Sequence, residues 1–228
     1  MILRASMSHE PGPSYEADML DDISVPPELI HDMCEKNIAD ELKELADKES
    51  GRFRLLTAIN SQQHTPLFTA CFHGSFRCAA VLVDAAAKET RAMAERARMG
   101  PHDIRYFLDR TVPDGCTALH VVCYRGHPDC CEILLASGAS VDVTNRDGMS
   151  PLFTACFNGH QPCAQLLLDA GASVGLPDKQ GKTPLHALCV HGRPECAPSL
   201  IAAGANINLT DLDGHSPLFT ACYHNSYR

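Results

Sequence analysis

No run of 18 consecutive apolar residues occurs in the chain, so no segment is expected to span a membrane. The opening MILRASMSHE has only three apolar residues in a row, which excludes a secretory signal core. There is no Gly-rich phosphate loop and no nucleophile elbow. No Asp or Glu stands at a spacing that would orient His120 or His186, so neither reads as catalytic. Aromatics are scarce at 6%. Excess positive charge is also missing. Residues 1–50 hold 13 acids and 4 bases, and residues 51–228 hold 15 of each, so the whole net charge of −9 lies in the N-terminal segment. A balanced body argues against binding nucleic acid through its phosphates.

Repetition is what the chain has in quantity. PLFTACF occurs at Pro66–Phe72 and Pro151–Phe157, and PLFTACY at Pro217–Tyr223. Aligned on Thr/Ser-Pro-Leu, the steps at Thr65, Thr117, Ser150, Thr183 and Ser216 give three intervals of 33 residues after a first interval of 52. The unit is therefore 33 residues, with 19 extra in the first. Odd units carry Phe68, Phe153 and Phe219 where even units carry His120 and His186, which reads as duplication of a two-unit block. Thr or Ser before Pro marks a helix start. Gly74, Gly126, Gly159 and Gly192 end that helix. A second apolar helix stops at Gly138, Gly171 and Gly204, and VDVTNRDG, VGLPDKQG and INLTDLDG follow as hairpin arms.

Thr183-Pro184-Leu185-His186, the Gly159-His160 step and Leu167-Leu168-Asp169-Ala170-Gly171-Ala172 carry a family signature. On these residues the chain resembles the ankyrin repeat over residues 61–228. The resemblance implies an all-α repeat solenoid of about four repeats and a partial fifth. It also implies that His120 and His186 join backbone hydrogen bonds between neighbouring hairpins. Ala118 replaces a proline of the pattern, and Pro198 is expected to weaken the second helix of the fourth unit.

The insert, about residues 87–105, contains no helix breaker before Gly100-Pro101, so it is expected to lengthen the second helix of the first unit. The hairpin is then expected to return over 106–115. Arg91, Arg96 and Arg98 make the insert a candidate arm for an acidic tail or partner, removable without loss of the fold. Residues 1–26 read as a disordered acidic tail. Residues 27–60 read as an N-terminal capping helix, with Ile30, Cys34, Ile38, Leu42 and Leu45 on one stripe.

Nine of the twelve cysteines are copies of two positions, Cys71 and Cys78 with their counterparts, and read as core. A linear array spreads His127, Cys130, His160 and Cys163 along its axis, so no metal and no cofactor is expected. Without a signal, the cysteines point to reduced thiols and a cytoplasmic or nuclear chain.

Nothing here resembles a reaction centre. The expected function is protein–protein interaction, as a scaffold or adaptor binding a protein partner on its concave face. The register nominates the pairs before each helix-ending Gly or Asn: Phe72-His73, Tyr124-Arg125, Phe157-Asn158, Val190-His191 and Tyr223-His224. The hairpin tips Arg146-Asp147, Lys179-Gln180 and Leu212-Asp213 form the expected polar rim. The Ala-Cys-x-x-Gly-His-x-x-Cys style is similar to the ankyrin and SOCS-box family, although the SOCS box is absent. That likeness keeps open a substrate-recognition role in a cullin-type ubiquitin ligase; a regulatory subunit of a phosphatase is a further alternative. The last residue falls where a second helix should begin, so the chain reads as incomplete. A monomer is expected unless that terminal unit self-associates.

Overall fold

The computed structural model describes residues 25–97 and 103–225. The acidic tail and Arg98 lie outside the described residues, as do the side chains of Arg96 and Asn225. The helices are α1 (Pro27–Glu35), α2 (Ala39–Asp47), α3 (Glu49–Thr57), α4 (Pro66–Phe72), α5 (Phe76–Ala97), α6 (Arg105–Leu108) and α7 (Ala118–Arg125). They continue as α8 (Pro128–Ala136), α9 (Pro151–Asn158), α10 (Gln161–Asp169), α11 (Pro184–His191), α12 (Ala197–Ala202) and α13 (Pro217–Asn225). No strand occurs among the described residues. One row stacks α1, α4, α7, α9, α11 and α13; a second row stacks α2, α5, α8, α10 and α12. The array is an all-α solenoid.

Local chemistry starts and stops each helix. Oγ of Thr65, Ser150 and Ser216 accepts the backbone N–H of Phe68, Phe153 and Phe219 at 3.1–3.2 Å. Such a cap is worth about 1 kcal/mol. Gly126 ends α7 at φ +74°, and His127 N–H closes on the Val122 carbonyl at 3.0 Å. Between the rows lie Leu119, Leu134, Leu152 and Leu167, all buried. In the even units an imidazole ties one unit to the next. His120 Nδ1 accepts Thr117 N–H at 3.2 Å, which leaves the proton on Nε2 to donate to the Met149 carbonyl at 3.0 Å. His186 does the same with Thr183 and the His215 carbonyl.

The expected single capping helix over 27–60 is instead three helices. Asn37, at φ +57°, breaks the stripe, and Ile38 N–H closes on the Met33 carbonyl at 2.9 Å. Ser75 closes on Ala70 in the same way at 2.8 Å. Asn37 thus holds the place of Gly74, because asparagine tolerates the left-handed region better than most residues. Cys34 holds the place of Cys71 and is fully buried. His31 falls at the position of His120, and its Nδ1 lies 2.6 Å from Thr69 Oγ1. With α1 against α4 and α2 against α5, the segment is a helix pair in the register of the repeats, plus α3.

The first unit's second helix, α5, has 22 residues against nine in α8, about 33 Å against about 14 Å. Its extension is not a free arm. Glu89 and Thr90 are buried. The Arg52 guanidinium from α3 lies 3.9 Å from the Glu89 carboxylate, and Arg52 Nε donates to the Ala46 carbonyl at 2.8 Å. Lys88 bridges Asp47 and Asp84. The expectation that the insert can be deleted without harm is corrected by this packing. Residues 98–102 of the insert lie outside the described residues. Where an extended arm is expected over 106–115, Arg105–Leu108 form a helical turn that buries Phe107 and Leu108. Phe107 meets Phe53 of α3 edge-on at 6.1 Å. Pro198 falls in the first turn of α12, where its missing N–H costs nothing. The shortening of that helix comes from the 3-10 turn Pro194–Cys196 before it.

Candidate functional site

The residues just before each helix-ending position are exposed or half-buried. Tyr124 is 54% exposed, Phe157 37% and Tyr223 63%, so these rings are not core. Phe72 and Val190 are half-buried. Of the residues that follow them, His73, Arg125, His191 and His224 are exposed and Asn158 is half-buried. Successive units interleave. The Arg125 guanidinium lies 4.5 Å from the Phe72 ring centre, and the His191 ring 4.0 Å from that of Phe157.

The opposite wall is a ladder of tight turns. Asn145 N–H closes on the Met149 carbonyl, and the Asn145 side chain accepts the Asp147 and Met149 amides at 2.9 and 3.0 Å. Asp178 and Asp211 build the same turn one and two units later. Arg146 N–H donates to the Asp114 carbonyl, Lys179 N–H to that of Asp147 and Leu212 N–H to that of Gln180, at 2.9–3.0 Å. Arg146, Asp147, Lys179, Gln180, Leu212 and Asp213 are all exposed.

Helices and turns enclose two clefts. The first, about 370 Å³, is lined by Phe68, Phe72, Tyr124 and Met149, with Asp114 and Asp147 from adjacent turns. The second, about 260 Å³, is lined by Phe153, Phe157, Ala187 and Val190, with Asp147, Asp178, Lys179, Gln180 and Lys182. Phe72 and Tyr124 thus share the first cleft, Phe157, Val190, Lys179 and Gln180 share the second, and Asp147 lines both. His73, Arg125, Asn158, His191, Arg146, Leu212, Asp213, Tyr223 and His224 line neither cleft. Asp114 and Met149 escape the register argument, because they follow from which turn stacks on which.

Among the described residues one group could hold a metal ion: Asp211, Asp213 and His215. Asp211 already accepts two turn amides, as Asp178 does one unit earlier. The cysteines form no disulfide. Most are buried, as their spacing implies, but Cys189 is half-buried and Cys222 exposed. Burial pushes the thiols of Cys78 and Cys116 up to about 11. Cys71 is raised by a hydrogen bond shared with Cys130 and by burial. The partner of that bond is another thiol, not a base that could make a nucleophile.

Burial also lowers the pKa of His31, His64 and His120 from the ordinary 6.5. The unfolded chain then takes up protons near pH 6.5 that the folded chain refuses, so stability rises with pH through that window. Thermal melts are expected to be level above about pH 7 and to fall as pH drops below 6.5. A melting temperature unchanged down to about pH 5 would contradict this.

A family model described as ankyrin repeats, in three copies, matches residues 91–178 and 171–228, which together exceed half of the chain. No curated protein matches. No helix among the described residues is long and apolar enough to cross a membrane.

Proposed function

Since the chain belongs to the ankyrin-repeat family, whose repeats generally mediate protein–protein interaction, we propose that it is a scaffold or adaptor module binding a protein partner on the face that carries the aromatic column and the turn ladder. The observation that carries this reading is the exposure of Tyr124 and Phe157 beside clefts, in a chain with only 6% aromatic residues. Aromatic anchors in such settings dominate binding energy, and truncation of one often costs about 2 kcal/mol or more. The turn tips supply the polar rim.

Tyr124→Ala with Phe157→Ala is expected to weaken capture of the partner from lysate about thirtyfold or more, on the order of 2 kcal/mol, while shifting the thermal midpoint little. Unchanged capture would sink the proposal. A large fall in the midpoint would show the column to be core and would move the binding surface elsewhere.

A further inference from the structure

Three successive turns of the ladder share one backbone frame but carry different side chains at their first, third and fifth positions. These are Asn145, Asp147 and Met149 in one turn, Asp178, Gln180 and Lys182 in the next, and Asp211, Asp213 and His215 in the last. The first two turns hold one carboxylate each, and Lys182 adds a positive charge that opposes a cation. The last turn holds two carboxylates and an imidazole. One donor atom from each of Asp211, Asp213 and His215 lies within 4.8 Å of the other two.

The turn itself accounts for one oxygen of Asp211. Its Oδ1 accepts the Asp213 and His215 amides at 3.1 and 2.9 Å, and Asn145 does the same with its single side-chain oxygen. The turn does not account for the other oxygen. Asp211 is 6% exposed, and its Oδ2 has no hydrogen-bond partner among the described residues. A buried carboxylate oxygen in that condition is costly. No Lys or Arg pairs with it among the described residues; it faces Nδ1 of His215 at 3.9 Å, beyond hydrogen-bond reach. That separation is close to what one shared ion requires. With zinc bonded to oxygen and to nitrogen at about 2.1 Å, two donors at the tetrahedral angle stand about 3.4 Å apart. Asp213, exposed at the turn tip, brings the third donor from the solvent side.

We propose that Asp211, Asp213 and His215 bind a divalent transition-metal ion, zinc before others, through one carboxylate oxygen of each aspartate and Nδ1 of His215. The two carboxylates balance the charge of the ion. The imidazole favours zinc over calcium and magnesium, which take shells of oxygen. The surrounding bonds hold the donors in place. Asp211 N–H donates to the His215 carbonyl at 3.0 Å, and Nε2 of His186 donates to the same carbonyl at 3.0 Å. The His215 ring stacks on Phe219 with centres 4.4 Å apart. Support of this kind orients metal ligands. Three protein donors leave a fourth tetrahedral position for water or for a donor from a partner. None of the three residues lines either cleft, so the site does not depend on the partner-binding reading. It is also separate from the His–Cys steps at α8 and α10, from which no metal is expected.

The test titrates the full chain, kept reduced, with zinc chloride in a calorimeter. Thiols also take zinc, so the comparison is with Asp211→Asn plus His215→Met, which leaves every cysteine in place. That pair of substitutions gives the last turn the side chains found at Asn145 and Met149, whose turn keeps its amide bonds, so circular dichroism should match the parent. The parent is expected to bind one zinc ion that the variant binds at least about tenfold more weakly. Asp213→Asn alone, at an exposed tip, is expected to weaken the same site and serves if the double variant fails to fold. Calcium and magnesium chloride at equal concentration should give no such binding. Cobalt(II), as a spectroscopic stand-in, should show visible bands that vanish in the variant, without a thiolate charge-transfer band. No zinc binding by the parent up to millimolar concentration would overturn the proposal. So would equal zinc affinity in parent and variants, calcium or magnesium bound as tightly as zinc, or a cobalt spectrum owed wholly to thiolates.

Discussion

Glu89→Ala is expected to destabilise the fold by about 3 kcal/mol, although Glu89 belongs to the segment that departs from the repeat period. Its carboxylate is buried at the start of the α5 extension, facing the Arg52 guanidinium of α3 at 3.9 Å. Removing one member of a buried pair leaves the other charged and without its counter-ion, which costs about 3–5 kcal/mol. The lower end applies because Arg52 keeps its bond to the Ala46 carbonyl. Glu89→Gln preserves volume and should cost less. Urea denaturation of the parent, Glu89→Ala, Arg52→Ala and the double variant gives the coupling between the two. A Glu89→Ala loss within about 0.5 kcal/mol of zero would show that the extension is not anchored through this pair.

Gly148→Ala is expected to be costlier than Gly138→Ala, though both glycines have φ above +80°. Around Gly138 an added Cβ meets nothing within 4 Å, so only the left-handed backbone is penalised, by about 1–2 kcal/mol. At Gly148 the same atom would lie 2.8 Å from the backbone nitrogen of Lys179. That nitrogen donates to the Asp147 carbonyl in the turn ladder, so relief requires one turn to move off the next. A total of about 3 kcal/mol follows when the strained bond is added. Chemical denaturation of the two variants side by side checks this, and equal losses would mean that the ladder yields freely.

Much of this architecture is legible in the sequence because each unit carries its own start and stop. Thr65-Pro66 and Gly126 decide local structure without reference to distant residues. The N-terminal pair hides because Asn37 replaces the glycine and no Thr-Pro step precedes α1. The spacing Cys34 to Asn37, equal to Cys71 to Gly74, is the signal that would have found it. Composition makes the insert helical, but burial of Glu89 depends on Arg52, which lies 37 residues earlier and reaches it only through packing. The exposed rings of Tyr124 and Phe157 follow from register. The carboxylate pair of Asp114 and Asp147 does not, because it is assembled by turn stacking.

His31, Phe68, His120, Phe153, His186 and Phe219 alternate strictly along the first row of helices. An array built this way has two kinds of joint. At α7–α9 and α11–α13 an imidazole hydrogen bond, directional over a few tenths of an ångström, resists sliding of one unit past the next. At α4–α7 and α9–α11 a phenylalanine ring takes that place, and apolar contact has no preferred direction. In mechanical terms the imidazole is a second cross-tie, added at every other joint, while the turn ladder runs through the α9–α11 joint without it. Phe68 and Phe72 of the first cleft, and Phe153 and Phe157 of the second, belong to the joints that lack the imidazole tie. A ligand seated there would supply the cross-tie that the sequence leaves out.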